Sequence, residues 1–352
     1  MENETDPLRI PFPHLSKPDA MAHTPTEMRI PDTAHPRAAP GRWSDPWCDA
    51  LTDSQVQTSL IDAVAEQSAL AARLTHDARV AGAVERLALD EVADAMWLGG
   101  DAGARDRLPL YAADVQAAQG AGDQLALWAL RRLTDRTDPA TLDLDGLRAF
   151  LGLHRRARDT PHDTDWHLFP MAAGEELDSA LQEWLGIAAL LAPHHPLVRG
   201  AVLFRAWRWL GISAPEDIVT PLTIANRVAG QTSFAPLAGA ARRLRMLSTP
   251  GDATDKLKVM FQAFAEGARE ASLTLERLAL WQDRAQRHAN TKAERAVLDS
   301  IARHPVVSTR IIAQQAGMTP QAINAAARAL HTQGILNEAT GNTRFRLWRA
   351  AM

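Results

Sequence analysis

The sequence predicts an all-α fold closed at its C-terminus by a small pair of strands. Three observations predict it. From Thr52 onward, apolar residues recur at steps of three and four, the spacing that lines one face of a helix. No convincing alternating run appears before residue 335. Glycine and proline fall between the periodic stretches, as at Gly120, Gly122, Pro139, Pro161, Pro170, Pro193, Gly211, Pro215 and Pro250.

The chain has 352 residues, enough for two or three folding units. Hydrophobic residues make up 46% and charged residues 23%, the balance of a globular protein. No apolar run is long enough for a membrane span, and the acidic start Met1–Asp6 does not read as a secretory signal. Cys48 is the single cysteine, which excludes an internal disulfide and disfavours a cysteine-based zinc site. The expected compartment is the cytoplasm.

Nine of the 21 prolines fall within residues 1–46, which therefore read as an extended, disordered arm. An all-α body is expected over 47–289. Asp53 is placed to cap a helix carrying Val56, Leu60, Ile61, Val64, Leu70 and Leu74. A second helix is expected over Asp77–Leu98. Others are expected over Asp123–Leu133, Asp145–Leu153, Glu175–Leu191, Pro196–Leu210, Leu222–Val228 and Phe234–Leu247, followed by a long one over Asp252–His288.

Residues 290–352 carry a denser pattern. A helix over Lys292–Arg303 ends before Pro305. Ser308 caps a second helix, Gly317 supplies the turn, and Thr319 caps a third that opens with Pro320. Strands are expected over Ile335–Glu338 and Thr343–Trp348 around Thr340-Gly341-Asn342. Thr343, Phe345 and Leu347 would then share one face, and Arg344 and Arg346 the other. This is the order of a winged helix-turn-helix.

The charge supports a polyanionic partner. Eight basic and three acidic residues give Thr291–Met352 a charge of +5, so the rest of the chain carries −9 of the total −4. The expected partner is double-stranded DNA. In the third helix Gln321, Asn324, Ala325 and Arg328 face away from Ile323, Ala327 and Leu330. Gln and Asn pair bidentately with adenine and Arg with guanine, and alanine allows close entry into the major groove, so Gln321 and Asn324 are expected at base edges and Arg328 at a base or a phosphate. Ser308, Thr309 and Arg310 at one helix start and Asn342, Arg344 and Arg346 in the wing are expected to meet phosphates, and Thr319 at the next helix start is expected among the DNA-binding residues. A homodimer is expected, because two half-sites multiply specificity.

The segment His304-Pro305-Val306-Val307-Ser308, with Ile311-Ile312-Ala313, Thr319-Pro320-Gln321-Ala322, Thr340-Gly341-Asn342 and Arg344-Phe345-Arg346-Leu347-Trp348, resembles the C-terminal helix-turn-helix of a protein family. Its members carry a domain of unknown function, DUF1612, and are frequently plasmid-encoded in alphaproteobacteria. The resemblance is clearest over the last sixty or so residues. It implies a helical, Fic-like body joined to a DNA-binding end, and no established activity.

Fic enzymes carry His-Pro-Phe-x-Asp/Glu-Gly-Asn-Gly-Arg, in which the histidine is the base, the acid holds a metal and the glycine turn cradles phosphates. The similar stretch here is His195-Pro196-Leu197-Val198-Arg199-Gly200-Ala201-Val202-Leu203. Arg199 inverts the charge at the metal-binding position, and Ala201, Val202 and Leu203 replace the cradle. The Ser-x-x-x-Glu-Gly brake of that family has its nearest match at Asp94–Gly100, without the glutamate. No catalytic residue, metal or cofactor is therefore expected, and His195 reads as a helix cap. The alternative is a Fic-like nucleotide or phosphate transferase, or a toxin–antitoxin or plasmid-maintenance component, using the winged helix as an adaptor.

Other clusters read as structure. His162, Asp163, Asp165 and His167 form a polar loop without zinc spacing. Asp143-Leu144-Asp145-Gly146 is a cap rather than a calcium loop. The run His154–Arg158 suits a helix end, and Phe204, Trp207, Trp209 and Leu210 suit a core.

Overall fold

The computed structural model describes residues 45–113, 116–118, 120–153, 175–231, 233–248, 251–339 and 346–352. The expected arm, the His154–Arg158 run, the His162–His167 cluster, and the wing residues Asn342 and Arg344 lie outside them, apart from the last two residues of the arm.

Among the described residues the chain is mostly helical. In the body lie α1 (Asp45–Ala50), α2 (Ser54–His76), α3 (Val84–Leu98), α4 (Ala104–Ala112), α5 (Ala121–Thr134) and α6 (Leu144–Phe150). Next come α7 (Glu175–Leu190), α8 (Pro196–Trp209), α9 (Val219–Gly230), α10 (Ala241–Leu244) and α11 (Ala253–Gln286). The C-terminal unit holds α12 (Lys292–Arg303), β1 (Val307–Ser308), α13 (Thr309–Ala316), α14 (Pro320–Thr332), β2 (Leu336–Glu338) and β3 (Leu347–Ala350). The fold is all-α with a small C-terminal sheet, as expected. No helix among these residues is long and apolar enough to cross a membrane.

Local chemistry places the helix starts. The Asp53 carboxylate accepts the amides of Gln55 and Val56 at 2.8 and 3.1 Å. Asp143 accepts the Gly146 amide at 2.8 Å, the cap expected there. Asp252 accepts the Asp255 amide at 2.9 Å and opens the 34-residue α11. This helix runs along α2, and together they bury Val56, Ala63, Leu70, Leu257, Phe261, Phe264 and Leu275. Helices α8 and α9 pack closely because Gly200 lacks a side chain: a Cβ there would sit 2.8 Å from the Ala225 carbonyl oxygen.

Two expectations are corrected. The helix expected over Asp77–Leu98 is a 3-10 turn at Ala78–Val80 followed by α3, with Gly82 at φ 78° between them. Gly82 takes a left-handed conformation that a helix interior does not allow. The helix expected over Phe234–Leu247 is broken: a 3-10 turn at Ala238–Ala240 leads into the single turn of α10 and another 3-10 turn at Arg245–Ser248. Buried Glu91 is the reason. Its carboxylate takes the Leu237 amide at 3.0 Å and the Ala238 amide at 3.0 Å, donors that a helix begun at Phe234 would direct otherwise. Finally, α4 was not anticipated, because Pro109 stands inside it.

Candidate nucleic-acid interface

The C-terminal unit is built from caps. Thr291 and Glu294 form a capping box at the start of α12. Ser308 Oγ accepts the Ile311 amide at 3.3 Å to start α13. Gly317, at φ 61°, ends α13 in the left-handed conformation that glycine adopts without steric cost. Thr319 Oγ1 accepts the Ala322 amide at 3.3 Å, and Pro320 occupies the first turn of α14.

Helix α14 sorts its side chains cleanly. Ile323, Ala327 and Leu330 are fully buried against α12 and α13. Gln321, Ala325 and Arg328 are exposed, and Asn324 is half-buried. At about 100° per residue, these four positions fall within roughly one quadrant of the helix. Among the described residues the side chains of Gln321, Asn324 and Arg328 have no hydrogen bond or ion pair. Arg310 is exposed at the start of α13, and Thr319 is exposed just before α14.

The strands form a three-stranded antiparallel sheet in the order β1-β3-β2. Val307 pairs with Trp348, and Glu338 pairs with Trp348 from the other side. Strand β1 escaped the sequence reading because two residues are too short to show alternation. It holds Ser308 and leads directly into Thr309, so the sheet positions the start of α13. Thr309 is half-buried and its hydroxyl accepts the Trp348 indole N–H at 3.3 Å, which ties it to the sheet.

The expected two-faced strand over Thr343–Trp348 is corrected where it can be seen. Strand β3 begins at Leu347, and Leu347 and Trp348 are both fully buried. Arg346 is half-buried with its guanidinium 3.7 Å from the Glu338 carboxylate. The outward arginine of β3 is Arg349, paired in register with exposed Asn337; neither was singled out from sequence. Alternation gives no signal for Arg349, since period 2 places it on the face of buried Leu347.

The body grips this unit through backbone carbonyls. Buried Arg86 of α3 donates to the carbonyls of Ile301, Ala302 and His304, at 2.5, 3.4 and 3.1 Å, capping the end of α12. Burial lowers the Arg86 pKa to about 10. From α11, the Trp281 indole N–H donates to the Ile335 carbonyl at 2.9 Å, and Arg284 donates to the Ala351 carbonyl.

The His195 segment has different geometry. His195 caps α8, its Nδ1 accepting the Leu197 amide at 3.2 Å, and partial burial lowers its pKa. Arg199 is buried and lies 3.4 Å from the Asp138 carboxylate. Ala201, Val202 and Leu203 are wholly buried, with Phe204 and Trp207, and Trp207 meets Trp184 edge to face at 5.7 Å. The space where a phosphate-binding turn would open is filled by core side chains. Among the described residues no group of three or more His, Cys, Asp or Glu is placed to hold a metal.

No protein-family model matches the chain. No curated protein matches it either. Among solved structures it is similar to a Fic family protein from Desulfovibrio desulfuricans G20, at 13% identity and a TM-score of 0.46, over 83% of this chain and 95% of that one.

Proposed function

We propose that the C-terminal unit binds double-stranded DNA sequence-specifically by placing α14 in the major groove, and that the protein is a cytoplasmic, homodimeric transcription regulator. The observation that carries this reading is the outward quadrant of α14. Gln321, Asn324 and Arg328 have base-reading chemistry, are uncommitted among the described residues, and surround alanine rather than a bulky side chain. Ser308 and Thr319 cap the starts of α13 and α14, and helix starts favour phosphates. The helical body would then serve dimerisation or sensing. The likeness to the DUF1612 family belongs to the same proposal.

The test is a fluorescence-anisotropy titration with DNA from upstream of the gene, for wild type and the double variant Asn324→Ala, Arg328→Ala. Each base contact contributes roughly 1–3 kcal/mol, so the double variant is expected to bind at least about tenfold more weakly. Wild-type binding is expected to weaken steeply from low to physiological salt as counterions are released. Absence of salt-sensitive binding to any genomic fragment would refute the proposal.

The rival reading is a Fic-like nucleotide or phosphate transferase with the winged helix as adaptor, and it rests on His195-Pro196 opening α8. The buried Arg199–Asp138 pair and the buried Val202 and Leu203 argue against a nucleotide cradle there. Transfer of label from nucleotide triphosphate to protein, lost in His195→Ala, would establish it instead.

A further inference from the structure

Where α3, α4, α10 and α11 meet, a cavity of about 540 Å³ opens at the surface of the body. Asp94 and Trp97 of α3, Arg105 of α4, Gly239, Arg242 of α10 and Glu266 of α11 line it. The size is that of small-molecule sites.

Most of its charges are already matched. Arg105 lies 2.6 Å from Asp94 and 3.3 Å from Asp90. Glu266 accepts from Arg243 at 2.8 Å. Arg242 is different: it is exposed and has no hydrogen bond or ion pair among the described residues. Trp97 is 38% exposed, and the Arg245 guanidinium lies over its ring at 4.3 Å. The cavity therefore presents the Arg242 guanidinium without an ion pair among the described residues, beside a partly exposed Trp97 whose ring already carries the Arg245 guanidinium.

We infer that this cavity binds a planar aromatic molecule bearing one carboxylate. The carboxylate pairs bidentately with Arg242, the geometry in which guanidinium and carboxylate match best. The ring stacks on Trp97, taking the place of Arg245 or sandwiched beneath it. A cationic ligand is disfavoured, because both lining carboxylates are engaged by arginines. Ligand size separates this site from the groove-reading helix, and the inference stands independently of DNA binding.

The experiment is calorimetric titration of the full chain with 2-naphthoate, with the uncharged 2-naphthamide alongside. Naphthoate is expected to bind at least tenfold more tightly than the amide. Arg242→Ala is expected to remove that preference, and Trp97→Leu to weaken both ligands at least tenfold. Arg242 is exposed and unpaired among the described residues, so its replacement leaves the fold intact. Equal affinity for acid and amide, unchanged naphthoate affinity in Arg242→Ala, or no binding at millimolar naphthoate would each overturn the inference.

Discussion

Replacing Arg86 with methionine should loosen the C-terminal unit from the body without emptying the space its stem fills. The guanidinium donates to three carbonyls at the end of α12, those of Ile301, Ala302 and His304. Hydrogen bonds from a charged donor contribute roughly 1.5–3 kcal/mol each, so three amount to about 6 kcal/mol gross. Against this stands the cost of holding a cation in a buried site, visible in the lowered Arg86 pKa. Removing the cation returns that cost but leaves helix-end carbonyls unpaired, and the net loss should be about 3 kcal/mol. The assay is urea denaturation followed by tryptophan fluorescence, paired with amide hydrogen exchange across α12. Exchange there should rise about a hundredfold, the equivalent of the same free energy. A loss below about 1 kcal/mol, with α12 protection unchanged, would refute the argument that Arg86 is what caps this helix against the body.

Two further predictions concern the body. Glu91 is fully enclosed, and burial raises its pKa to about 7 despite the Leu237 and Ala238 amides and the Asn226 side chain. Because the folded pKa lies above the ordinary value of 4.5, this group's contribution to stability is complete below about pH 4.5 and is lost as pH rises through 7, about 3 kcal/mol in all. Urea midpoints measured from pH 4.5 to 8 should show that decline in wild type relative to Glu91→Gln, and parallel curves would refute it. Three glycines should respond oppositely to alanine. A Cβ at Gly267 would run into the Pro236 carbonyl, and one at Gly200 would meet Ala229 Cβ at 2.9 Å, so each should cost about 2 kcal/mol in thermal unfolding. At Gly186, exposed within α7 with nothing nearby, alanine should stabilise by roughly 0.5–1 kcal/mol; destabilisation there would contradict the open surroundings.

The sequence by itself determined the elements that depend on their own residues. Caps such as Asp53, Asp252, Ser308 and Thr319 act on amides two or three positions away, so the starts of α2, α11, α13 and α14 were legible. The apolar period of α14 likewise predicted which face is buried, and hence that Gln321, Ala325 and Arg328 point outward. His195 was legible as a cap for the same local reason.

Tertiary structure decided what rests on partners far along the chain. Glu91 claims amides 146 and 147 residues away and so unmakes a helix that local periodicity favours. Arg86 is buried because α12 ends beside it and needs a donor, a partner 215 residues along the chain. Arg346 turns to Glu338 across the sheet, while Arg349 takes the outward position. The cavity beside Trp97 is assembled from segments whose lining residues span Ala93 to Glu266. Which charge there stays unmatched depends on distances between elements, and a linear pattern of residues holds no record of those distances.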